Sequence, residues 1–454
     1  MVDQAADSVR LPAGWRGSFV REPILNSTIY VVTVGDKQKP PLVLLHGLGQ
    51  AGVMDWQAVI ESLKNRYFII AFDFPGFGRS SLPTGRLSPE NYAALTHWLI
   101  QTHELKRVHL AGHSMGGAVA ILYAATYPET LSRLTLIDVA GVLHRAAFVK
   151  SVVDLEQFDY GILPDGLEQA ASQILNLGDR LVETIGNWPD VTEPLREIDI
   201  TWNYLLNGRP NANAALSLIH TDYSRILDAV AAPTAVIWGE LDPVAPLRTG
   251  FVLDGLIAHS ELHVIPGAKH VPLKTHTASV TALLQEPVSP PQDSTASATK
   301  GDLKCRNETG LRYSGRYRHI TLDHCLNMEL FDIQAESIVL KSSTAEMTRV
   351  DISSDTLALG LRDSTVRLTD AHLMAPVAIE VDGSRLDMAG VDLKAEEVAL
   401  KILGESVVVA SVSEVESPVW QGKLHGITRA AQGAGEALDG LQSDATEGMQ
   451  DRAP

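Results

Sequence analysis

At 454 residues the chain exceeds one ordinary hydrophobic core, so two or three domains are expected. Hydrophobic residues make up 45% and charged residues 20%, as in a soluble globular protein, and no run approaches the roughly 18 apolar residues of a membrane span. The net charge of −18 argues against nucleic acid or an anionic membrane surface as the main partner.

In chain order, residues 1–25 read as an irregular lead-in. Ser27–Val34 is β-branched and aromatic, hence a strand. Leu42–Leu45 is a continuous apolar run of the kind buried on both faces of a sheet. Met54–Lys64 carries Trp56, Val59, Ile60 and Leu63 at helical spacing, and Tyr67–Phe72 is another buried strand. The tight turn Asp73–Ser80 and a helix over Pro89–Thr102 follow. Next comes a strand from Val108, the turn Gly112-His113-Ser114-Met115-Gly116-Gly117, and an apolar helix to about Tyr127. Leu134–Asp138, Thr234–Trp238 and Leu262–Ile265 supply further strands. Buried strands alternating with helices predict an α/β class with a mostly parallel sheet and crossover helices on both faces.

Between about Gly141 and Ala231 the rhythm changes to helical patches (Ala147–Phe158, Leu167–Leu177, Asn213–Ile219) with no convincing buried strand. About ninety residues is too many for one short connection, so this stretch reads as a helical lid inserted into the sheet domain. Residues 1–142 and 232–285 then form the core, and 143–231 the lid. The Pro/Ser/Thr-rich stretch 286–301 is a linker.

Beyond it, residues 302–420 repeat. Short strands begin near Ile320, Ile338, Leu357, Val377 and Val398; near Leu326, Met347, Val366, Leu386 and Val407; and near Phe331, Val350, Ala371, Val391 and Val412. Each series advances by roughly 20 residues, the length of one coil of a three-sided parallel β-helix. A meander of antiparallel hairpins is the competing arrangement, but Asn-Gly and Asp-Gly turns are sparse. Cys305 and Cys325 are themselves 20 residues apart and would stack in adjacent coils within disulfide reach. The tail, 421–454, is rich in Ala, Gly and acids, with a weak amphipathic helix expected near Ile427–Leu441. Met1–Asp7 contains no signal-peptide core, so the protein is cytoplasmic or the chain begins after a removed signal. A disulfide favours the second, periplasmic or secreted, alternative.

The chemistry concentrates on Ser114. A nucleophilic serine needs its Oγ clear of its own backbone, at the tip of a strained strand–turn–helix, with Gly112 and Gly116 permitting close approach. It also needs a base and a group that orients the base. His270 follows the strand Leu262–Ile265, and Asp242 follows Thr234–Trp238. The order Ser, Asp, His, each past the carboxyl end of a strand, resembles the serine α/β hydrolases over residues of about 25–285. Leu45-His46-Gly47-Leu48-Gly49-Gln50 resembles that superfamily's oxyanion loop. The match implies oxyanion donors at the backbone N–H groups of Leu48 and Met115, with His46 ordering the loop. Asp73–Gly78 resembles the family's tight turn, a fold signature.

Asp138, at the end of the Leu134 strand, competes as the acid, because some relatives use that position. Glu240 is a weaker competitor expected to point the other way, and His113 is expected to pack beside the elbow. His144, Arg145, Asp159, Tyr160, Trp188, Trp202 and His220 in the lid are possible substrate contacts without a distinguishing spacing. A serine nucleophile suits acyl transfer to water, so the resemblance implies a carboxylic ester hydrolase that needs no cofactor or metal and acts on a small-molecule ester. Carbon–carbon hydrolases of dienone acids rank second, because His113 and Leu48-Gly49-Gln50 depart from their pattern. An inert scaffold is the third reading. The β-helix is expected to have a structural role or to bind a polymer, an envelope component or a protein.

Overall fold

A computed structural model describes residues 11–143, 206, 208–288, 299–417 and 425–430. The chain divides into two compact units, the second consisting mainly of the chain from Gln292 onward. Among the described residues no helix is long and apolar enough to cross a membrane.

The first unit is built on an eight-stranded sheet: β1 (Trp15–Arg21), β2 (Thr28–Val34), β3 (Pro41–Leu45), β4 (Phe68–Phe72), β5 (Val108–His113), β6 (Leu131–Ile137), β7 (Thr234–Gly239) and β8 (Ser260–Ile265), in spatial order 1-2-4-3-5-6-7-8. From β4 to β8 neighbours are parallel, while β2 is antiparallel to both β1 and β4. The apolar runs of β3, β4, β5 and β7 are buried nearly residue for residue. Parallel strands covered on both faces require this composition. Helices α1 (Gln57–Leu63), α2 (Pro89–Thr102) and α3 (Met115–Thr126) make the crossovers. Ser88 caps α2 by accepting the Asn91 N–H, and Pro89 occupies its first turn.

The sequence expectations need two corrections here. The lead-in is not irregular throughout: Trp15–Arg21 is strand β1, pairing from Trp15↔Val34 to Arg21↔Thr28. An edge strand with only Trp15 buried has too little apolar periodicity to be recognised alone. The helix expected from Met54 opens as a 3₁₀ turn over Gly52–Trp56 before α1. Of the inserted segment, the helix expected at Asn213–Ile219 is present as α4 (Pro210–Ile219). The patches at 147–158 and 167–177, together with His144, Arg145, Asp159, Tyr160, Trp188 and Trp202, lie outside the described residues.

The second unit is all parallel and β-helix-like. Strands β9 (Leu303–Arg306), β11 (His319–Asp323), β13 (Ser337–Lys341) and β15 (Leu357–Arg362) stack on one side; β10 (Arg312–Arg316), β12 (Met328–Ala335) and β14 (Thr344–Ser353) stack on another. Both columns run into the long bent strands β16 (Thr365–Asp382) and β17 (Arg385–Leu403), and β18 (Val407–Glu416) and β19 (His425–Ala430) follow. Ile320↔Ile338↔Leu359↔Ile379↔Leu400 form one continuous inward ladder, a step of about 20 residues per coil. Hydrogen bonding between coils in parallel register rules out the hairpin meander. The tail reading is corrected in part: 425–430 is a strand that pairs with β18, where a helix was expected to begin. The open edge of β18 supplies backbone partners that local composition does not reveal.

Cys305 and Cys325 are joined by a disulfide with Cα atoms 6.4 Å apart. They are not register partners, because Cys305 lies opposite Leu322 and Cys325 sits past the next corner. That corner carries a device the repeat reading missed. The backbone N–H groups of Cys325, Ser343, Ser364 and Ser384 donate to the hydroxyls of Ser343, Ser364, Ser384 and Ser406 in the following coil, at 2.9, 3.1, 2.9 and 3.2 Å. Each hydroxyl in turn donates to a carbonyl two or three residues back, on Lys341, Arg362, Asp382 and Leu403. The residue before three of these serines turns the corner in a left-handed conformation, at Ser342, Asp363 and Gly383. Replacing Ser364 by Val strands the buried Ser343 N–H and should cost about 1–3 kcal/mol. Urea unfolding monitored on the full chain checks it, with little change expected for the same replacement at exposed Ser353.

Candidate active site

Ser114 sits between β5 and α3 at φ 52° and ψ −120°, a backbone region that costs a non-glycine residue about 1–3 kcal/mol. The turn is over-determined by its neighbours. A Cβ on Gly112 would strike the backbone carbonyl of Gly116, and one on Gly116 would strike that of Leu45. The strand, the helix and the end of β3 therefore meet backbone to backbone, and the Ser114 N–H is held by the Ile137 carbonyl at 2.9 Å. Strain at a position locked this way is kept rather than relaxed.

The strand ends bring the other two groups to it. His270 Nε2 lies 3.0 Å from Ser114 Oγ, and its Nδ1 lies 2.8 Å from Asp242 Oδ2. An ionised carboxylate only accepts hydrogen bonds, so Nδ1 carries the proton and Nε2 is free to accept from the serine hydroxyl. The Asp242 side chain is fully buried, and its Oδ1 accepts the N–H groups of Val244 and Ala245 at 2.7 and 3.0 Å. Those amides stabilise the charge that burial would otherwise penalise. A hydroxyl in this line can pass its proton to the imidazole while its oxygen attacks an electrophile.

The β3 loop lies against the serine: a Cβ on Gly47 would sit 3.0 Å from Ser114 Cβ. His46 fixes that loop, donating from Nδ1 to the Gly47 carbonyl at 2.7 Å and accepting the Phe74 N–H on Nε2 at 2.9 Å. Burial lowers its pKa, consistent with a neutral, load-free structural ring. Leu48 follows on this loop, half-buried, and Met115 is the first residue of α3, where backbone N–H groups have no intrahelical acceptor. Asp73 accepts the N–H groups of Val53 and Arg79 at 2.7 and 2.8 Å, tying two loops together.

The competing acids separate clearly. Glu240 accepts the Gly267 N–H at 2.8 Å, bracing the loop that leads to His270. Asp138 accepts the Gly239 N–H at 2.7 Å, while His270 is bonded to Asp242. His113 does more than pack. Its Nε2 donates to the His270 backbone carbonyl at 2.7 Å, so it anchors the residue whose ring meets Ser114. That contact escaped the sequence reading because it spans 157 positions; the only local sign was a histidine on an otherwise apolar strand end. Burial, then the neighbouring His270, lowers the His113 pKa to about 4. Burial likewise lowers that of His109, which bonds Thr135 Oγ1 at 2.8 Å, to about 3.

Both rings stay neutral in the folded chain well below the ordinary histidine value of 6.5. Unfolding lets them take protons, so their contribution is complete above about pH 6.5 and is lost as pH falls toward 4 and then 3. Urea unfolding at about pH 7 and about pH 4.5 should show this loss, and His109→Gln, which does not titrate, should reduce it.

Among known proteins, the family described as alpha/beta hydrolase fold matches residues 40–277. An uncharacterized protein of Mycobacterium tuberculosis is 28% identical over 247 residues, which is 51% of this chain and 70% of that protein. A Pseudomonas putida protein named 2-hydroxy-6-oxononadienedioate/2-hydroxy-6-oxononatrienedioate hydrolase 1 is 31% identical over 243 residues, 51% of this chain and 82% of its own. A solved esterase from Thermogutta terrifontis aligns with a TM-score of 0.44 and 25% identity, over 60% of this chain and 97% of that one.

Proposed function

The chain belongs to the alpha/beta hydrolase family, and from that premise we propose that it hydrolyses carboxylic esters through Ser114, His270 and Asp242. The observation that carries this reading is the unbroken line of hydrogen bonds from Ser114 Oγ through His270 to the buried Asp242 carboxylate. Ser114 Oγ attacks the ester carbonyl carbon as its proton passes to His270 Nε2. The backbone N–H groups of Leu48 and Met115 receive the oxyanion. Collapse breaks the ester C–O bond, and His270 returns the proton to the departing alcohol. Water then attacks the acyl-enzyme, giving a proton to His270, and the acid leaves as Ser114 regains its hydrogen. Asp242 keeps the imidazole in the required tautomer and balances the imidazolium charge.

One observation favours a second reading. The Pseudomonas putida relative carries the name of a carbon–carbon hydrolase, and the same serine line could serve a dienone acid. For the β-helix-like unit we propose a binding or structural role. Support comes from a groove of about 540 Å³ lined in part by Arg316, Gln334, Asp351, His372, Asp392 and Lys394.

A fluorophosphonate probe should label the wild type and not Ser114→Ala, and that variant should lose ester turnover at least about a thousandfold. An unlabelled but folded wild type would sink the proposal. Nitrophenyl esters assayed beside a dienone acid separate the two chemistries, and turnover of the dienone acid alone would reverse their order.

A further inference from the structure

Asp138 follows β6 and Asp242 follows β7, the adjacent strand, and Gly239 links them, its N–H donating to Asp138 Oδ1 at 2.7 Å and its carbonyl accepting the Asp242 N–H at 3.2 Å. Asp138 is fully buried, with φ at 44°. Its Oδ1 accepts the Gly239 N–H, and its Oδ2 is buried with no donor directed at it. Its carboxyl lies within the field of the Asp242 carboxylate. The nearby N–H donors are already committed: Val244 and Ala245 to Asp242 Oδ1, His270 Nδ1 to Asp242 Oδ2, and Gly239 to Asp138 Oδ1. Two ionised carboxylates have no hydrogen to share. One proton removes the conflict, and the distribution of donors decides where it sits. Asp242 receives three N–H bonds that favour its charge, whereas Asp138 receives one.

We propose that Asp138 is a neutral carboxylic acid whose Oδ2–H donates to the Asp242 carboxylate, making it a positioning residue for the base His270. This rests on the serine-hydrolase reading given above. Burial first, and the Asp242 charge second, push the Asp138 carboxyl well above the ordinary carboxylate range, against the opposing pull of the Gly239 amide. Among the described residues, Asp242 is the titratable group that acts on it. The proton stays on Asp138 throughout turnover. The pair therefore presents one negative charge to the imidazole instead of two, and a fourth donor holds the Asp242 carboxylate in the plane that meets Nδ1.

Infrared difference spectra of wild type against Asp138→Asn at neutral pH test the protonation state without any assay of turnover. A protonated-carboxyl C=O band present in the wild type and absent in the variant is expected; no such band overturns the proposal. The functional arm compares two variants. Asp138→Asn keeps both a donor for Asp242 and an acceptor for Gly239, so kcat should stay within about threefold and the acid limb of kcat/KM should not move. Asp138→Ala removes the donor, so kcat should fall about tenfold and the acid limb should shift to higher pH, because the Asp242 carboxylate is left to the imidazole with one donor fewer. An Asn variant as impaired as the Ala variant would overturn the positioning role. So would an acid limb that moves to lower pH in Asp138→Asn, since that reports the removal of a real negative charge. If Asp138→Ala does not fold, the infrared band and the Asn limb still decide. Should Ser114→Ala retain full activity, the serine reading falls separately, while the infrared result stands on its own.

Discussion

The site depends on one strained residue. Ser114 occupies a left-handed conformation because β3, β5 and α3 converge there at distances that leave no room for a Cβ on Gly112 or Gly116. Relaxing the serine would require separating backbone segments that belong to the buried centre of an eight-stranded sheet. Its cost of about 1–3 kcal/mol is small beside the packing that maintains it. The hydroxyl is thereby presented at a fixed point, and the loops after β3, β7 and β8 are measured against that point.

Around Ser114 the buried histidine rings are neutral. His46, His109 and His113 all have their pKa lowered chiefly by burial. His46 and His113 use backbone carbonyls as acceptors, which fixes their tautomers and makes them struts for the loops that carry Gly47 and His270. Charge is concentrated instead on Asp242, where two backbone amides and the imidazole meet it. Low local dielectric makes each of these contacts stronger and each unpaired group costlier, so the arrangement has few alternatives.

The β-helix-like unit solves a different problem by repetition. Each coil leaves an edge of backbone groups that the next coil must satisfy, and parallel register does so along both strand columns. At the corners the N–H groups of Cys325, Ser343, Ser364 and Ser384 are met by the serine hydroxyls of residues 343, 364, 384 and 406 in place of carbonyl acceptors. Leu, Ile, Val, Met and Ala fill the interior, so the sequence period and the stacking period coincide.

Local patterns were sufficient for whatever is set by nearest neighbours. The buried runs at Leu42–Leu45 and Val108–Leu110, the Pro89 start of α2, the glycines flanking Ser114 and the step of about 20 residues were all legible, because each follows from periodicity or a single turn. The order of Ser114, Asp242 and His270 along the chain was legible through its resemblance to a family pattern. Strand β1, the offset of Cys325 from Cys305, the serine ladder and the strand at 425–430 were not. Each depends on a partner many residues away, and composition does not name the partner. The same holds for Asp138. By sequence it was a rival for the place of Asp242; tertiary structure sets it beside that residue with no free donor between them. Which residues could carry the chemistry was written in the sequence, but where their protons sit was decided only when folding removed the water that would have let every carboxylate ionise.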